Sequence, residues 1–162
     1  MKHYPLLFTF HDKIEGNGFL ADVETRGRAL AVAENDGTWS LYGVEPGAIA
    51  GSGETLAEAH ADFRRTFSSV LFDFVSDAKD FDAFDQRVQH FFGESDPASI
   101  GEWKAAVAQV RAGKIHPKEL RVTEAGIRTE PADSERYVRV TYKTKLRATD
   151  NALDPPYLAV AA

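Results

Sequence analysis

From Leu56 to Phe74 an apolar residue returns at every third or fourth position: Leu56, Ala59, Phe63, Phe67, Val70, Leu71 and Phe74. That spacing sets them along one stripe of an α-helix, with Glu58, Asp62, Arg65, Ser69 and Asp73 on its other faces. Thr55 stands just ahead of the stripe and Glu58 three residues on. This is a capping-box pair, in which each side chain satisfies a backbone donor left open at the helix start. A helix with so aromatic a stripe needs an apolar surface to lie on, and that need constrains the rest of the chain.

The segment before it supplies strands. Leu6 to Phe10 is a short apolar run, and Glu15-Gly16-Asn17-Gly18 has the glycines of a tight reversal, which predicts a first hairpin with an extended stretch from Phe19 to Val23. Arg28 to Glu34 alternates, with Ala29, Ala31 and Ala33 on one face and Leu30 and Val32 on the other. Asn35-Asp36-Gly37 then turns the chain into the β-rich run Thr38 to Tyr42. Glu45-Pro46-Gly47 and Gly51-Ser52-Gly53 bracket a short apolar piece, Ala48-Ile49-Ala50, directly before the helix.

After it the pattern predicts a second helix from Asp80 to Phe92, striped by Phe81, Phe84, Val88 and Phe91 and stopped at Gly93. A third, capped by Ser99 and carrying Ile100, Trp103, Val107 and Val110, ends near Gly113. Glu119 to Thr129 and Arg136 to Leu146 read as two strands joined by a polar turn, a final hairpin, with an irregular arm beyond Ala148. The expected fold class is α+β, with residues 1–93 as the core and residues 94–162 as a C-terminal extension packed on it.

A chain of 162 residues suits one domain, and its 43% apolar and 27% charged residues are those of a globular protein. With no cysteine, disulfides, thiolate metal sites and cysteine nucleophiles are excluded. The opening run MKHYPLLFTFHD is too short and too soon interrupted for a signal peptide, and no segment has the length of a membrane span, so the expected location is the cytoplasm. The net charge of −6 argues against a whole-surface nucleic-acid footprint and suits a basic protein partner better.

The central stretch RALAVAENDGTWSLYGVEPGAIAGSGETLAEAHADFRRTF resembles the HicB-like antitoxin family. The resemblance rests on Asp36-Gly37, Pro46-Gly47, Gly53-Glu54-Thr55 and Leu56 to Ala59, and covers about residues 28–75. It implies a partial RNase H-like β-β-β-α core without nuclease activity, which binds and blocks a small basic RNA-cleaving toxin, HicA. Family members often add a C-terminal DNA-binding module. This chain departs there, having neither a helix-turn-helix nor a ribbon-helix-helix pattern after Phe92, so operator binding is not expected. The other reading is an orphan structural or ligand-binding module of the same fold without a toxin.

Two local features are candidates for partner contact. Arg139, Lys143, Lys145 and Arg147 share one parity of the last strand; such a strand either contacts phosphates or an acidic partner, or guards a sheet edge against aggregation. Between Glu54 and Asp96 ten acids stand against four bases. Asp77, Asp80 and Asp82 are the centre of that acidic half, which either attracts a basic partner or is a solvated surface. Phe63, Phe67, Phe74, Phe81, Phe84 and Phe91 have the spacing of core packing rather than of a ligand pocket. His3, His11, His60, His90 and His116 are scattered, and no catalytic, cofactor or metal set is expected. His11-Asp12 could be a fragment of an acid-base pair. Asp22 and Glu24, two apart on a strand, are spaced as nuclease carboxylates would be, without further partners. The edges of so small a sheet invite pairing, so a homo-oligomer is expected.

Overall fold

Alternation carries the first two strands much further than their apolar runs suggest. In the computed structural model, which describes residues 1–116, 127–128 and 137–145, β1 spans Lys2–Gly16 and β2 spans Phe19–Ala33. They pair antiparallel along their whole length, from Lys2 opposite Ala33 to Gly16 opposite Phe19. The expected gap between Phe19–Val23 and Arg28–Glu34 does not exist. The strand passes through it with a bulge between Arg28 and Ala29, where Gly27 lies so close to the Phe8 ring and the Glu45 carbonyl that a methyl group would overlap both.

β3 (Trp39–Glu45) and β4 (Ala50–Gly53) extend the sheet as a meander, so β4 lies slightly later than the apolar piece that suggested it. The helix α1 (Leu56–Asp77) follows, with the capping box formed at Thr55 and Glu58. Gly51 is pressed against this helix, where any side chain would overlap the backbone of Ala59 and Phe63. α2 (Phe81–Gly93) and α3 (Pro97–Arg111) come next. Asp96, not Ser99, caps α3. Its carboxylate accepts from the Ser99 N–H at 2.9 Å and hydroxyl at 3.0 Å, and Pro97 fills the first turn, where no backbone donor is needed.

The C-terminal strands join the same sheet. β5 (Ile127–Arg128) pairs with β1 at Leu7 and Phe8, whereas β6 (Tyr137–Thr144) pairs with β2 from Leu20 to Arg26. Among the described residues they bond to different strands and not to each other, so the expected final hairpin is replaced by two separate additions. Its turn and the arm beyond Ala148 lie outside the described residues. The result is an α+β fold in which the described residues form three helices on an antiparallel sheet ordered β4-β3-β2-β1-β5. β6 shares with β3 one edge of β2. Among the described residues no helix is long and apolar enough to cross a membrane.

The two faces of the sheet differ. Tyr4, Leu6, Phe8, Phe10 and Ile14 of β1 face α1 and α2, where Phe63, Phe67 and Phe84 are buried as their spacing predicts. Phe10 and Phe67 stack with ring centres 4.2 Å apart, and Phe8 meets Phe63 edge to face at 5.1 Å. On the opposite face Leu30 and Val44 pack beneath Trp103, Ala106 and Val107 of α3. The Trp103 indole N–H donates to the Leu6 carbonyl at 3.3 Å, and the Arg28 guanidinium lies over its ring. α3 covers only that end of the face.

Candidate functional site

The uncovered end carries charge. Strand alternation turns Asp22 and Glu24 of β2 away from α1, and the register sets Glu24 opposite both His11 of β1 and Arg139 of β6. Asp22 accepts a hydrogen bond from His11 Nε2, and Lys143 Nζ lies 3.7 Å from its other oxygen. Glu24 accepts from the Tyr137 hydroxyl at 2.9 Å and from Arg139 Nη1 at 3.3 Å. The bond to Glu24, aided by burial, holds the Tyr137 phenol above its ordinary pKa, since ionisation would set two anions together. The basic strand and the carboxylate pair, separate features in the sequence, are therefore each other's partners. Lys145 stands exposed beyond this ladder, with no ion pair among the described residues. Arg147 lies outside the described residues.

The acidic candidates sit at the corner between α1 and α2. Asp77, at the end of α1, pairs with Arg87 of α2 at 3.2 Å. Asp80 caps α2 by accepting from the Ala83 N–H at 2.9 Å. Asp82 is exposed in the first turn, without a side-chain partner among the described residues. Between Asp80 and Asp82, Phe81 packs edge to face on Tyr142 of β6, ring centres 5.4 Å apart. The fold thus brings the acidic corner and the basic strand side by side, which 60 positions of intervening chain conceal.

The sheet edges are not equivalent. At β4, the Ser52 N–H donates to the Asp62 carboxylate of α1 at 3.0 Å, and Arg65 donates to the same carboxylate at 2.9 Å. The Arg65 bond, then that of Ser52, holds the Asp62 carboxyl below the usual range. That outward donor is already used. Along β2, β3 ends opposite Arg28 and β6 begins opposite Arg26, so among the described residues Gly27 has no ladder partner on that edge. A hollow of about 240 Å³ opens there, lined by Arg26, Glu45, Gln89 and Tyr137.

His11 and Asp12 do not act as one acid-base fragment, because neighbouring strand residues point to opposite faces. Asp12 is 2% exposed, on the core side of β1. Burial pushes its carboxyl up, while the Lys13 N–H at 3.0 Å, the Ser68 hydroxyl and the Arg64 charge pull it back. Its burial was legible only from its place in the Tyr4-to-Ile14 alternation. Tyr137 and His11, as partners of the β2 acids, had no signal beyond the unknown strand register. Among the described residues no three histidine, aspartate or glutamate side chains gather as a metal site. No family model, curated protein or solved structure matches the chain.

Proposed function

We propose that this chain is a HicB-like antitoxin, a protein that binds and neutralises a small basic RNA-cleaving toxin of the HicA type. The observation that carries this reading is the unit formed by β2, β3, β4 and α1. The residues on which the resemblance rests are those that close it: the Asp36-Gly37 turn, the Pro46-Gly47 corner, and the Thr55 and Glu58 capping box. The acidic corner at Asp77, Asp80 and Asp82 supports it by charge, since an exposed carboxylate surface steers a cationic partner. The polar strand bearing Arg139, Lys143 and Lys145 lies beside that corner and belongs to the same proposed contact. In this reading the protein acts in the cytoplasm, as a homo-oligomer, and without catalysing a reaction.

The test is to look beside its gene for a reading frame encoding a small basic protein, whose absence favours the orphan module, and to co-express any such protein with this chain. The expected result is a co-purifying complex and relief of RNA cleavage. A toxic neighbour that neither binds nor is relieved rejects the antitoxin role and leaves the orphan module of the same fold.

A further inference from the structure

Most carboxylates of the described structure are engaged: they cap helices, pair with arginines, or bond to hydroxyls and backbone N–H groups. Among the described residues Glu34 and Glu102 take neither a side-chain hydrogen bond nor an ion pair, and both line the same groove. It measures about 380 Å³ and is lined both by the sheet and by Ser99 and Glu102 of α3. Leu30 and Val32 line it but are themselves buried, and His3 and the exposed Met1 line it as well. Tyr42 lines it from β3, and is 46% exposed although it is a large aromatic side chain.

We propose that this groove seats an arginine side chain of the basic protein partner, a site that rests on the antitoxin reading above. The chemistry of the lining matches each part of that side chain. Its methylene stem lies along the exposed Met1 side chain, its planar guanidinium stacks on the Tyr42 ring, and its charge is met by Glu34 from the sheet and Glu102 from α3. A neutral apolar guest would leave both carboxylates facing it without compensation. A bare ammonium ion would leave Met1 and the Tyr42 ring uncovered. The groove is distinct from the acidic corner, which adjoins β6 on another part of the molecule.

The experiment uses the full chain and two probes, N-acetyl-arginine amide and its uncharged analogue N-acetyl-citrulline amide, followed by the NMR signals of Val32 and Tyr42. The expected result is saturable shifts with the arginine probe, absent with citrulline and weakened about tenfold in the Glu34→Gln/Glu102→Gln variant. Neither side chain has a bonded partner among the described residues, so the variant should melt with the wild type. Shifts that are equal for the two probes, or unchanged in the variant, overturn the proposal. So do shifts that track protein concentration alone, which would give the groove to a second copy. Binding of the co-expressed basic protein separates the two inferences. An unweakened complex with the variant rejects the groove and keeps the antitoxin. No complex even with the wild type rejects the antitoxin, and arginine-selective shifts then retain the groove as a seat for a basic chain.

Discussion

The β1–β2 ribbon has two ends built on one principle and finished differently. At the end formed by residues 2–8 and 27–33, helices cover both faces, α1 on one and α3 on the other. At the end formed by residues 9–16 and 19–26, one face meets α1 and α2 while the other carries the charge ladder of His11, Asp22, Glu24, Arg139 and Lys143. The sequence of β2 records the difference. Ala21 to Arg26 alternates buried and half-buried residues, as in a strand wet on one side, while Ala29 to Val32 is apolar without a break, as in a strand covered on both. One ribbon thus contains a structural half and a half whose chemistry faces outward.

If that division holds, substitutions should separate by end. Trp103→Ala removes the anchor of the doubly covered end and should cost about 3–5 kcal/mol, read as a fall in the denaturant midpoint. A loss below about 1 kcal/mol would mean that α3 does not hold this face. Gly51→Ala, at the contact of β4 with α1, should cost roughly 1–3 kcal/mol because the helix backbone must shift to admit it. Asp12→Asn tests the layer that both ends share. Its carboxyl pKa is raised in the folded state, so the native protein holds this proton to higher pH than the unfolded chain and the charged form costs stability at neutral pH. The variant should match or exceed the wild type there. The wild type should gain on it as pH falls through the raised pKa, a trend that melting temperatures against pH would check. The smallest effect belongs to the open end. Glu24→Gln should change stability by only about 0–1 kcal/mol, and less at high salt, because its partners are half exposed.

The layer beneath α1 was legible in the sequence because period and chemistry agreed there. The stripe from Leu56 to Phe74, the Thr55 cap and the turn at Asn35-Asp36-Gly37 each had a local physical cause, and the structure has them in place. The strands were harder. β1 continues past Phe10 through His11, Asp12 and Lys13, and three polar residues in a row hide an alternation whose inward member, Asp12, is itself a carboxylate. β2 crosses Gly27 because another backbone needs the space, a reason found in Glu45 and Phe8 and not in the strand itself. The charge ladder was out of reach for a different reason. Its members were all noticed, but that Arg139 opposes Glu24 depends on a strand pairing made across more than a hundred residues, which no local pattern encodes.

That distant pairing has a consequence for how the molecule is made. During synthesis, the edge of β2 from Leu20 to Arg26 stays without its neighbour until Tyr137–Thr144 leaves the ribosome, long after the first hairpin and α1 are available to collapse. For that interval Asp22 and Glu24 lack the cations of β6, and the nascent chain presents an unpaired edge marked by two negative charges. Like charges at the same positions repel neighbouring nascent chains on a polysome. The acids that later bind the last strand therefore also keep its place from being taken by another molecule.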